Sequence, residues 1–229
     1  MAGRGRETSL PAPIWRIMRA TRKAGPRTAL LFWYAATREV SMARIPAGEA
    51  QQQAVRLTAS LMATAARTAP KTRGLDSVET LILDGEDLET LARAMEAKVA
   101  EKGGKLPSFA RDAKNVRASA AVLLIGVTGE PKNPKVPLDC GACGYAGCAD
   151  FMEGKMAEGE DFRGPLCVFQ AIDLGIALGS AAKTAGVLNV DNRIMYTIGA
   201  AARKLRLLTS DVVIGFPLSV TGKSPYFDR

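Results

Sequence analysis

The sequence predicts an α+β or α/β fold, a central sheet packed with helices. Three observations predict it. Apolar residues recur at helical spacing over 50–67, 88–102 and 166–185. Short aliphatic runs at 78–84, 120–127 and 211–216 read as strands. The two kinds of segment alternate along the chain, which calls for helices laid on a sheet. Nothing local decides strand direction. The chain has 229 residues, 47% hydrophobic and 24% charged, enough apolar side chains to bury a core. No apolar run approaches the roughly 18–20 residues needed to span a bilayer.

In the first helix Val55, Leu57, Leu61, Met62 and Ala65 give the apolar face, and Pro70 stops it. The strand at 78–84 follows. Asp84, with Asp87 three residues later, is the expected cap of the next helix. Leu88, Leu91, Met95 and Val99 line that helix, and Gly103-Gly104 ends it. A short helix at 108–118 leads into the buried-strand run 120–127. The segment 129–137 (GEPKNPKVP) is rich in Pro and Lys, and a charged helix is expected near 149–158. Cys167 stands at the front of the apolar helix 166–185. There Gly175 and Gly179, beside Ala177 and Ala181, predict a smooth face for another backbone or a cofactor. A further helix is expected from Asp191, its N-cap, to Leu205. The strand 211–216 closes the pattern, and the tail from 217 reads as loop.

Two parts are expected: a basic N-terminal extension at 1–41, disordered or from a mis-assigned start, and a single domain at 42–229. Residues 1–41 hold eight of the 31 Lys/Arg and two of the 23 acids, with Trp15, Trp33 and the apolar run 29–36. The remainder is nearly neutral, so the chain's +8 marks no basic stripe, and nucleic acid is not an expected partner. The absence of histidine rules out a Ser-His-Asp triad, a Cys-His nucleophile pair, His-ligated zinc or copper and Rieske-type ligation.

The four cysteines fall in one pattern, C-x2-C-x4-C-x18-C: Cys140, Cys143, Cys148 and Cys167, within a module at about 137–170. A cubane cluster needs four thiolates converging on a small object, three supplied by one tight loop and the fourth from elsewhere. Gly141, Gly144 and Gly147 suit such a loop, with backbone N–H groups turned toward the sulfurs. The helix N-terminus at Cys167 favours a thiolate there. Lys132, Lys135 and Lys155 are candidates to offset the cluster's negative charge, against the plainer reading of solvated lysines. Competing readings are a structural zinc site held by all four cysteines, disulfides, a redox C-x-x-C pair, and unrelated buried cysteines. The pattern favours a [4Fe–4S] cluster, in a cytoplasmic protein because oxidising compartments suit a labile cluster poorly.

The core Cys-Gly-Ala-Cys-Gly-Tyr-Ala-Gly-Cys (140–148) resembles the [4Fe–4S] module of the B subunit of Rnf electron-transport complexes and of corrinoid iron–sulfur proteins. Their fourth cysteine follows seventeen or eighteen residues on, at the position of Cys167. The wider chain, through 66–76, 111–119, 173–181, 189–205 and 215–229, is similar to a prokaryotic family of ferredoxin-domain proteins, with which no biochemical activity comes. The order Ala69-Pro70, strand, helix, strand and the closing DVVIGFP resemble the nitroreductase fold, which implies FMN. The usual N-terminal arginine signature for the flavin phosphate is not evident, which argues against FMN here.

These resemblances imply electron transfer, as a redox protein or an iron–sulfur (flavo)oxidoreductase working with a redox partner protein or a small electron donor, and they admit a homodimer. The alternative is a non-enzymatic metal-binding protein: an iron–sulfur sensor, an assembly factor, or a structural zinc protein. Among other polar groups, Asp191, Asn192 and Arg193 read as a cap or an anion contact. Lys71 and Arg73 read as solvated charges or a phosphate contact.

Overall fold

The computed structural model describes residues 44–227; the basic segment 1–41 and its tryptophans lie outside the described residues. The chain divides near Pro46, and the unit from there onward is the one described. Its elements are α1 (Ala47–Thr68), a 3-10 turn (Thr72–Gly74), β1 (Val78–Leu83), α2 (Glu86–Glu101), α3 (Ser108–Arg117), β2 (Ala121–Val127), α4 (Cys148–Glu153), β3 (Ala157–Glu158), β4 (Arg163–Gly164), α5 (Val168–Val187), β5 (Asp191–Asn192), α6 (Tyr196–Lys204) and β6 (Val212–Ser219).

The main sheet has the order β1-β2-β6-β5, and every neighbouring pair is antiparallel. The fold is therefore α+β. Along β2, Ala121, Leu123, Ile125 and Val127 join Val55, Met62, Leu174 and Leu178 of α1 and α5. Val122 and Leu124 join Leu91, Met95, Phe109 and Ile198 of α2, α3 and α6 on the opposite face. Helices cover both faces, so every residue of β2 is buried, and this is why its sequence is a continuous apolar run.

Several local expectations give way to packing. Val55 and Met62 face the core from α1 as expected, joined by Thr58, Ala59 and Ala66, whereas Leu57 and Leu61, expected on the same face, are exposed. Asp84 does not cap α2. Its carboxylate lies 2.8 Å from Arg56, and α2 starts at Gly85, whose φ of 57° takes the chain into the left-handed region. The far end of α2 closes as expected: Gly104 N–H donates to Val99 O at 2.9 Å and Gly103 N–H to Ala100 O at 3.0 Å, with both glycines at positive φ.

The charged helix expected near 149–158 is six residues long and gives way to β3. Asp191 does not open a helix either: Asp191 and Asn192 pair with Ser219 and Leu218 as the edge strand. Met195 then exchanges backbone hydrogen bonds with Gly215 before α6 begins. Sheet pairing satisfies these backbone groups first, and it also carries β6 to Ser219, into what read as tail.

Candidate metal centre

The segment between β2 and α5 carries all four cysteines; none is in a disulfide. Cys140 is exposed, Cys143 and Cys148 are half-buried, and Cys167 is buried. Gly141 and Gly144 adopt φ of 70° and 89°, and Gly144 N–H donates to Gly141 O at 3.0 Å. Cys140 precedes this turn and Cys143 lies within it. Gly147 is extended rather than left-handed. A Cβ there would approach Asp139 Oδ1 to 3.1 Å.

The amides nearby are not all free to face sulfur, contrary to expectation. Cys148 N–H donates to Asp139 Oδ1 at 2.7 Å, and Gly147 N–H to Asp150 Oδ2 at 3.0 Å. Two carboxylates thus brace the loop. Tyr145 packs on buried Phe151 of α4, ring centroids 5.4 Å apart, and ties the loop to the short helix.

The hairpin β3–β4 reverses the chain between α4 and Cys167. Asp161 pins its tip, with Oδ1 2.7 Å from Lys98 Nζ and Oδ2 2.7 Å from Lys102 Nζ. The Tyr196 hydroxyl also donates to it. Burial alone would raise the Asp161 carboxyl, but the hydrogen bonds from Lys102, Lys98 and Tyr196 outweigh it and hold the group below its usual range. Burial and the Asp161 carboxylate push Tyr196 up to about 12.

Cys167 is the N-cap of α5. Its N–H donates to Gly129 O at 2.8 Å, and Gly129 N–H donates to Asp211 Oδ2 at 2.7 Å. Gly129 has no room for a side chain, since a Cβ would sit 2.8 Å from both Met156 Cε and Pro165 O.

Cys140, Cys143, Cys148 and Cys167 line one small cavity, together with Lys132, Leu138 and Phe169. Among the described residues, no three Cys, Asp or Glu side chains are drawn together as they would be around a single metal ion. A tetrahedral zinc–thiolate site would bring its sulfurs to about 3.8 Å from one another, given Zn–S bonds of about 2.3 Å.

Of the three lysines expected near the cluster, Lys135 and Lys155 are solvent-exposed. Lys132 is buried, its Nζ 2.8 Å from Asp173 Oδ2. That pair was missed in the sequence, as was Asp211. A lone carboxylate in the apolar stretch of α5, six positions after Cys167, was the available signal.

The remaining candidates are structural. Lys71 is turned back on α1 and donates to the carbonyls of Ala66 (3.1 Å) and Ala69 (2.8 Å). Arg73 donates to Val136 O. Arg193 donates to Tyr226 O at 2.8 Å and stacks on Phe227. Gly175 and Gly179 face open space within the chain, beside exposed Ile172 and Ile176.

Fold and site together define an α+β protein with a four-cysteine pocket inserted between β2 and the long helix α5. Residues 163–229 match the family described as "Uncharacterized protein containing a ferredoxin domain (DUF2148)", a match that takes in Cys167 but not the loop. A protein of Archaeoglobus fulgidus, described as "Uncharacterized protein", is 50% identical over 179 residues, 78% of this chain and 94% of that one.

Three solved structures are similar in outline. Nitroreductase A from Vibrio parahaemolyticus has a TM-score of 0.44 and 13% identity over 76% of this chain and 61% of its own. The NADPH:FMN oxidoreductase from Vibrio harveyi complexed with NAD+ has 0.45 and 13%, over 76% and 63%. A nitroreductase family protein from Clostridium novyi has 0.46 and 15%, over 76% and 77%. The chain spans less than two thirds of the length of the first two. Among the described residues, no helix is long and apolar enough to cross a membrane.

Proposed function

We propose that the protein binds one [4Fe–4S] cluster through Cys140, Cys143, Cys148 and Cys167 and serves in electron transfer, exchanging electrons with a redox partner protein or a small donor. The observation that carries this reading is the single cavity lined by all four thiols. The spacing of these cysteines, like that of the Rnf-type module, and the match of residues 163–229 to a ferredoxin-domain family agree with it. When bound, the cluster supplies a one-electron centre.

The chain's own residues do the rest. The turn at Gly141–Gly144 presents Cys140 and Cys143. Asp139 orients Cys148 through its amide. The hairpin and Gly129 bring Cys167 to the same wall. Leu138 and Phe169 supply part of the cavity's apolar lining. Cys140 is exposed, so electrons have a short route to a partner at that side.

Anaerobic purification of the full chain tests the reading. It should give a brown protein with about four iron and four sulfide per chain. A colourless protein holding one zinc overturns it. Cys167→Ser should yield a labile or three-iron species; unchanged iron content and spectrum would remove Cys167 from the ligand set.

A further inference from the structure

Lys132 shares the wall of the cysteine cavity yet is only 4% exposed, an unusual position for an ammonium group. Its Nζ donates to Leu75 O at 2.9 Å and to Ser77 Oγ at 2.7 Å, and lies 2.8 Å from Asp173 Oδ2, off the line of a hydrogen bond. Asp173, 1% exposed, accepts through Oδ1 from the Thr72 amide at 2.9 Å and the Thr72 hydroxyl at 2.8 Å. Ser77 in turn donates to Gln170 Oε1 at 2.6 Å, and Gln170 Nε2 to Glu130 O at 2.9 Å. The network therefore fixes the ammonium from several sides.

Stability alone does not account for such a pair. Removing two opposite charges from water costs several kcal/mol each, and well-packed apolar residues often serve as well or better. The pair is also asymmetric. Lys132 lines the cavity, whereas Asp173 does not. Of the two charged residues, the cationic one belongs to the cavity wall.

We infer that Lys132 is a potential-tuning residue. The buried charge of this wall residue, held by Asp173, raises the reduction potential of the cluster. This rests on the cluster reading above. A cubane with four thiolates is anionic, and taking up one electron from an external donor makes it more so. A nearby cation stabilises the reduced form more than the oxidised one. No bond to Lys132 forms or breaks, and no proton moves.

The test is a dithionite titration of the anaerobic full-length protein, followed by visible absorption and electron paramagnetic resonance, after iron and sulfide have been counted. Lys132→Gln should lower the midpoint by about a tenfold change in the reduction equilibrium, near 59 mV for one electron. Asp173→Asn, which keeps the cation and removes its counter-ion, should raise the midpoint. Lys135→Gln makes the same charge change on the exposed side of the segment and should shift it far less.

A purely structural brace predicts cluster loss in both variants with unshifted midpoints. If loaded variants shift in the same direction, or no further than Lys135→Gln, the tuning role fails while cluster binding stands. Should Lys132→Gln not fold, the direction of the Asp173→Asn shift decides. A wild-type chain without iron overturns both readings.

Discussion

Asp211 fixes Cys167 without touching it. One buried carboxylate accepts the Gly129 amide, and the Gly129 carbonyl accepts the Cys167 amide. Asp211→Ala leaves the Gly129 amide without its acceptor, which should cost about 2 kcal/mol in urea unfolding. Iron retention should fall with it, while Asp211→Asn, which keeps an acceptor, should lose much less. Unchanged stability and iron content in the alanine variant would mean that Cys167 is positioned by other contacts. The role of Asp211 is invisible in sequence because its partner lies 82 positions away. The cysteines themselves are legible there, since their meaning lies in spacing within one short segment.

Helices and strands meet most closely at α6 and β6. A Cβ at Gly199 would fall 1.7 Å from Val213 O, and one at Gly215 2.0 Å from Ile198 Cγ2. Backbone cannot yield as a flexible side chain does, so Gly199→Ala should destabilise by about 3 kcal/mol or more in thermal unfolding. The glycines of α5 should behave in the opposite way. Gly175 and Gly179 have nothing within 4 Å of an added Cβ, and alanine there should stabilise the free chain by roughly 0.5–1 kcal/mol each through helix propensity. A loss at either position would indicate that this face is covered in solution. The sequence marked Gly175 and Gly179 as a site of close approach and passed over Gly199, where close approach occurs. Helical spacing shows which residues share a face but not which face meets a strand.

At the scale of the whole molecule, the hairpin that returns the chain to Cys167 is held by charge. The Asp161 carboxyl is depressed in the fold, below its ordinary value near 3.8. Its contribution is therefore complete above that value and is lost as pH falls through the folded one. Tyr196 is raised from 10 to about 12, so its contribution holds below pH 10 and is lost on the way to 12. Asp161→Asn should cost about 2–3 kcal/mol at neutral pH, because Lys98 is buried and loses a charged partner. The variant should also show a flatter stability profile below pH 4; an equally steep acid limb would assign that sensitivity to other carboxylates. By itself the sequence determined the strands at 78–84 and 120–127, the four clustered thiols and the glycine turn between Cys140 and Cys148, because periodicity and short spacings are local properties of the chain. Only the tertiary structure decided that the sheet is antiparallel, that Asp191 joins its edge instead of opening a helix, and that Lys132 is buried against Asp173 while Lys135 stays in water. These outcomes depend on segments about 30 to 100 residues apart competing for the same backbone hydrogen bonds and the same buried space, and local propensity carries no record of that competition.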